Sequence, residues 1–499
     1  MVLAIIAAVA AIAVGFYGFR ETKKLIVSEM IDIDFKKVTA KTLICNAVFA
    51  VLFMVMTIGL VTWKKFDVDG LHWFKLIAGS LSFPFALLTA IHFFVFFYYG
   101  KNVEETWKKK YYYSFMALFV ASFLLLFLWL DGFAPYLSYP IANGISFENG
   151  FVTPKDPRPN IAFYAICILS GAILVYFMCD HFMYQEYKKH GILESTFFIA
   201  FPAGIIGARL WFCIGEGVPI QDWIKIWQGG LTILGGALMG IIVGVSWFLL
   251  KNKKYSIWVA VDVIVPTILI AQAVGRFGNF FNSEVHGLTT SVENFKWIPE
   301  IIRNNMVYSE RAGYAPEGMI YVPLFFIEAL VNFFGYFTIA HLFGKKFKKV
   351  LEPGDLAFAY IIWYGATRVI LEPFRHPAYN MGENGYWSWI WGLMFVFVGT
   401  LCIIANHIVR YVIKKRKNNY VVLKGDKKLG LAGVIGFSVV ALCLVIPAIV
   451  LLSGNPFSGK IGFDPFNIGV MLLVLGVSVL FYASLSIIRF IEARKVKNA

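Results

Sequence analysis

Between positions 276 and 286 the chain places Arg276, Asn279, Asn282, Glu284 and His286 directly after an apolar run, 258–274, long enough to cross most of a bilayer. Charged and amide side chains at such a boundary are costly unless they meet a polar ligand. Arg276, Asn279 and Asn282 recur every third residue, so one helical face carries all three for as long as the helical turn persists. Gly275 and Gly278 allow close backbone approach. A Gly-x-x-Gly pair with one asparagine is by itself a packing signal. Followed by Glu284 and His286, it reads as an anion site with a proton acceptor beside it. A second set has the same character. Arg368, Glu372 and Arg375 share one face at the end of the run 356–371, and Pro373 interrupts that helix so that Arg375 and His376 can turn toward a cavity. The competing use of this face is a charge ladder that reaches into the headgroups.

Arg209, Asp262 and Glu328 are also charged residues within apolar runs, where a charge is functional or paired. The structural alternative is a helix lock, for instance Asp262 or Glu328 with Arg209. Tyr164 stands near the end of its run, a position favoured by membrane-belt tyrosines. Gly229, Gly230, Gly235, Gly236 and Gly240 suit a closely packed helix. The histidines elsewhere show no ligand spacing, and the six cysteines lie in or beside apolar runs without a Cys-x-x-Cys pair. Neither a bound metal nor a cofactor is expected.

The elements that hold these residues follow from composition. With 59% apolar and 15% charged residues over 499 positions, the chain departs far from the roughly 45–50% and 25% of ordinary globular proteins. Apolar runs at 2–19, 43–63, 74–99, 114–130, 161–179, 196–214, 231–250, 258–274, 320–342, 356–371, 387–409, 430–452 and 468–488 predict an all-α polytopic membrane protein of about thirteen spans. The first run has no basic stretch before it and reads as an uncleaved helix rather than a signal peptide. The formal charge of +15 comes mostly from short loops, 20–41, 101–110, 187–189, 251–254, 345–349 and 414–428, and from the tail after 489. Every second loop is basic, which predicts an outside N-terminus and an inside C-terminus. The basicity therefore matches an anionic lipid surface and not nucleic acid. Loops 132–160, 215–228, 275–319, 372–386 and 453–466 then face outward, and the polar cluster with them. Composition shifts divide the chain into 1–140, 141–416 and 417–499, and the absence of a long-period repeat argues against an inverted-repeat transporter.

Over about residues 155–416 the sequence resembles the prolipoprotein diacylglyceryl transferase family. The stretch Gly275-Arg276-Phe277-Gly278-Asn279-Phe280-Phe281-Asn282-Ser283-Glu284, with Gly287, is similar to the family signature. In order around it stand Phe163-Tyr164-Ala165, Gly207-Ala208-Arg209-Leu210, Trp227-Gln228-Gly229-Gly230-Leu231, Asp262 with Pro266, Pro323 with Glu328, Tyr364-Gly365-Ala366, and Arg368, Glu372 and Arg375. Three positions depart from the pattern: Leu234 replaces the histidine or tyrosine of the glycine-rich helix, and Val322 and Ile327 replace the His and Tyr of a later element.

The resemblance implies a seven-helix transferase core with added N- and C-terminal helices, in the plasma membrane of a bacterium with its site toward the outer face. It implies transfer of diacylglyceryl from phosphatidylglycerol to the lipobox cysteine of a prolipoprotein, giving a thioether and glycerol phosphate. On this reading Arg276 and Arg368 clamp the phosphate, Asn279 and Asn282 complete the headgroup bonds, and Glu284 and Glu372 orient the guanidiniums. Arg209, Gly287 and Arg375 join the substrate site, Tyr164 positions lipid or thiol, and His286 accepts the proton. A membrane transporter of an anionic solute or lipid, using the same arginines, is the alternative.

Overall fold

Among the described residues fifteen α-helices hold most of the chain, and they follow the apolar runs. The computed structural model describes residues 2–31, 35–99, 105–134, 163–225, 230–309, 311–348, 350–380, 385–422, 425–458 and 462–495. In order the helices are α1 (Val2–Ile31), α2 (Phe35–Lys64), α3 (Gly70–Ser80), α4 (Ser82–Tyr99), α5 (Glu105–Gly132), α6 (Phe163–Tyr187), α7 (Glu194–Gly215), α8 (Ile233–Lys251), α9 (Ile257–Phe281), α10 (Glu300–Asn305), α11 (Leu324–Tyr336), α12 (Asp355–Leu371), α13 (Tyr386–Arg416), α14 (Asp426–Gly454) and α15 (Pro465–Lys495). Eleven helical segments among the described residues are long and apolar enough to cross a membrane. Of the other expected runs, 2–19 lies in α1, and 356–371 forms α12, whose 17 residues stand at the short end of the roughly 17–25 that cross a bilayer. The Pro-, Gly- and Asn-rich stretch 135–160 and the Trp227, Gln228 and Gly229 motif lie outside the described residues.

Glycine faces bring the core helices together. A Cβ at Gly235 of α8 would stand 2.5 Å from the carbonyl oxygen of Gly207 in α7, and one at Gly365 of α12 would stand 2.4 Å from that of Gly392 in α13. The packing role expected for Gly235 is thus met directly. α9 packs between α6 and α11, and the α11 helix continues as a π-helical stretch, Phe337–Lys346. α12 begins after Gly354, which takes φ 109°, a conformation open to glycine. The first amides of α12 have no partner within the helix. Asp262, in the second turn of α9, receives two of them, from Gly354 N (2.6 Å) and Ala357 N (3.1 Å). The intramembrane aspartate is therefore a helix cap supplied from a neighbouring helix, not the partner of Arg209.

Basic residues from several of the connections, Lys348, Lys414, Lys415 and Arg489, meet at one end of the helices. There Lys348 pairs with Glu186, Lys414 with Glu352 and Lys415 with Glu492, while Arg489 donates to the Val350 carbonyl. The opposite end carries two antiparallel ribbons, β1 (Thr289–Ser291) with β4 (Met319–Tyr321) and β2 (Tyr308–Ser309) with β3 (Gly313–Tyr314), together with α10. Segment 286–288 runs through this cap as an extended junction. Gly287 N donates to Val322 O, Leu288 N to Phe374 O, Val322 N to Leu288 O and His376 N to His286 O, at 2.9–3.1 Å. A Cβ at Gly287 would lie 2.7 Å from that of Val322, so only glycine fits the junction.

Losing a cap costs about 0.5–2 kcal/mol. Asp262→Ala is expected to lower the thermal unfolding midpoint in detergent, with Asp262→Asn restoring part of the loss because its side-chain oxygen still accepts. An unchanged midpoint in the alanine variant would contradict the capping role.

Candidate active site

The last turn of α9 presents Arg276 and buried Asn279, and Asn282 closes the helix by donating its amide to Gly278 O. Beyond it the chain hooks sharply: Ser283 and Val285 take φ values of 51° and 61°. A β-branched residue in this region is strained by about 1–3 kcal/mol. The hook holds Glu284 against Asn282, whose Nδ2 donates to Oε1 at 2.8 Å, and the backbone bonds of 286–288 stabilise it from the far side. The Tyr164 ring, at the start of α6, packs against Gly278, where a Cβ would approach its Cδ2 to 2.4 Å. Gly278 is thus the opening through which Tyr164 reaches α9.

Three arginines and two glutamates form one continuous chain of ion pairs. Arg276 Nε stands 2.7 Å from Glu328 Oε2; Arg375 Nη2 donates to Glu328 Oε1 at 2.6 Å; Arg375 Nε is 3.4 Å and Arg368 Nε 3.1 Å from Glu372 Oε2. Arg368 Nε also donates to Ser388 Oγ on α13 at 2.6 Å. The inner members are deeply buried, with side-chain exposures of 5% for Arg375, 7% for Glu328 and 1% for Glu372, whereas Arg276 and Arg368 retain 24% and 19%. The outer two line one small cleft with Gln272, Glu328, Asn332, Tyr364 and Thr367. Among the described residues no hydrogen bond from the Nη groups of Arg276 or Arg368 to protein is found. Two guanidinium forks on a cleft with a net positive lining suit a phosphate group, which accepts bidentate bonds in a low-dielectric setting.

Residues 157–405 match the sequence model described as prolipoprotein diacylglyceryl transferase. The chain is 33% identical over 261 residues to the phosphatidylglycerol–prolipoprotein diacylglyceryl transferase of Streptococcus agalactiae, covering 51% of this chain and 94% of that protein. The like-named protein of Streptococcus pyogenes is 32% identical over 271 residues, 52% of this chain and 92% of its own. That of Malacoplasma penetrans is 32% identical over 278 residues, 50% and 75% respectively. The chain belongs to the prolipoprotein diacylglyceryl transferase family. As an enzyme of this family it is a transferase, and the transporter alternative is not favoured.

Within the transferase, the structure brings Arg276 and Arg368 to one cleft and links them through Arg375 and Glu372. Of the clamp guanidiniums Glu372 contacts Arg368, and beside it Arg375, but not Arg276, whose carboxylate partner is Glu328; Glu284 is engaged by Asn282. Glu328, read from sequence as either functional or a lock for Arg209 and left out of the site, joins Arg276 to Arg375. The resemblance singles it out with Pro323, but no spacing rule names its two arginine partners. Arg209 sits elsewhere, donating to the carbonyls of Trp223 (3.0 Å), Asp222 (2.8 Å) and Gly230 (3.3 Å), which fastens the loop after α7. Gly287 serves the junction described above.

His286 does not line the cleft. It is 0% exposed, stacked on Tyr321 at 5.5 Å between ring centroids and edge-on to Tyr379 at 6.3 Å. Burial pushes its pKa down to about 4, so the ring is neutral and a weak base at neutral pH. Leu234, standing at the family histidine position, is 62% exposed on α8, so neither residue places an imidazole in the cleft.

Because the folded-state pKa of His286 lies below the 6.5 of a free imidazole, the unfolded chain takes up the proton first, and stability falls as pH drops from about 6.5 toward 4. His286→Phe is expected to flatten that loss, read as unfolding midpoints at pH 7 and pH 5; equal slopes in both proteins would exclude the buried imidazole as its source. Gly278→Ala is expected to displace Tyr164 and lower transfer at least about tenfold, measured as turnover at saturating lipid.

Proposed function

We propose that this chain transfers the diacylglyceryl group of phosphatidylglycerol to the lipobox cysteine of a prolipoprotein. The names of its relatives supply both substrates, and the observation that carries the reading here is the pair of half-open arginines, Arg276 and Arg368, on one cleft. The cysteine sulfur attacks the glyceryl carbon that bears the phosphate. A C–S bond forms as the C–O bond breaks, and glycerol phosphate leaves with the electron pair. Negative charge grows on the phosphate oxygens in that step, where the two guanidiniums stabilise it more than in the ground state. The same positive lining lowers the pKa of an entering thiol from about 8.5 and raises its thiolate fraction. The thiol proton then departs with the phosphate product, whose second ionisation lies near 6. Asn279 and Asn282 hold the headgroup, and Tyr164 bounds the site against α6.

We place the site at the outer face of a bacterial plasma membrane. The cleft residues belong to the end of the helices opposite the clustered lysines, and basic loops stay inside. An exported cysteine would then meet the cleft after its segment has crossed.

Incubating the purified protein with phosphatidylglycerol and a lipobox peptide is expected to add one diacylglyceryl mass to the peptide cysteine. Arg276→Ala is expected to insert normally and to lose transfer by about 10²–10³-fold, as removal of a preorganised donor does. Full labelling by that variant would sink the proposal.

A further inference from the structure

The helices that precede the family match reach the back of the catalytic turn. Flanking the cleft-lining face of α9, Phe277 packs edge-on against Phe123 and Phe127 of α5, each with centroids 5.0 Å apart, and Phe127 also meets Phe280 and Phe281 at 6.1 Å. Phe280, Phe281 and Phe325 share one buried cluster with Leu76 of α3 and with Trp129, Leu130 and Phe133 from the end of α5. Phe325 lies one helical turn before Glu328.

A polar relay runs beside this cluster. Asp131, buried at the end of α5, receives the Ile301 amide at 2.7 Å and pairs with Lys75 of α3 at 2.8 Å. Ile301 lies in the first turn of α10, whose N-cap Pro299 supplies no side-chain bond. At the other end of α10, buried Asn305 donates Nδ2 to the Phe280 carbonyl at 2.9 Å. That carbonyl belongs to the last turn of α9, where carbonyls lack helical partners. The Phe280 carbonyl also accepts from Ser283 N at 3.1 Å, the bond that starts the hook toward Glu284.

We propose that α3 and α5 are positioning elements of the active site: Phe127 and the relay Lys75–Asp131–α10–Asn305 fix the last turn of α9, and with it Arg276 and Asn279 relative to Glu328. The kinetic consequence rests on the reaction proposed above; the positioning itself does not. A part of the chain outside the family match thereby becomes a determinant of turnover, because a small misplacement of a charge clamp is costly.

The experiment compares full-length wild type with Phe127→Ala, Asp131→Ala, Asp131→Asn and Val51→Ala, the last an exposed position of α2. Amide hydrogen exchange over 278–287 is read beside transfer kinetics, at a temperature where every variant is folded. Phe127→Ala and Asp131→Ala are expected to speed exchange over 278–287 and to lower kcat about tenfold, with KM for phosphatidylglycerol changed less. Asp131→Asn, which keeps an acceptor for Ile301 N, restores part of both, and Val51→Ala changes neither. Unchanged exchange over 278–287 in both alanine variants would overturn the proposal, as would a lowered unfolding midpoint with kcat intact. Responsive exchange in a wild type that shows no transfer would uphold the positioning and defeat the assigned reaction instead.

Discussion

Arg375 is the interaction on which the site depends. A guanidinium at 5% side-chain exposure, held between Glu328 and Glu372, is tolerable only because both carboxylates are present; removing one partner of a buried pair costs about 3–5 kcal/mol. The arrangement draws together α11, α12 and the turn after Pro373, none of which is adjacent in sequence to α9. Its two ends are the less buried arginines on the cleft. The buried centre is thus structural and the half-open ends are chemical, and each requires the other: without the centre, Arg276 and Arg368 would have no fixed separation.

The junction at 286–288 serves the same end. It ties the hook after α9 to the segment bearing Arg375 through backbone bonds on both sides. Gly287 is the residue that lets the strands approach. Positive φ at Ser283 and Val285 persists because this junction over-determines the path of the chain.

What the sequence disclosed divides along physical lines. Arg276, Arg368, Glu372 and Arg375 were legible because a charge in an apolar run is costly and demands a reason, and the break at Pro373 was legible because proline removes a backbone donor. The partner of each charge was not. Arg209 satisfies itself with three carbonyls and Asp262 with two amides, and no spacing rule separates a backbone partner from an opposite charge. His286 shows the same limit: whether an outer-loop histidine is solvated or walled in by Tyr321 and Tyr379 depends on ribbons formed far along the chain. The helices were legible from hydropathy, except that α12 is a short one whose N-terminus leans on α9.

The odd number of charges in the network also bears on turnover. Three arginines against two glutamates leave one positive charge, enough to be neutralised by a phosphodiester headgroup carrying one negative charge. Under the proposed reaction the product is a phosphate monoester, which gains a second negative charge as it ionises near pH 6. A network of net charge +1 attracts that dianion more strongly than the singly charged headgroup, so the charge that admits the lipid also retains the product, and release is the step it slows.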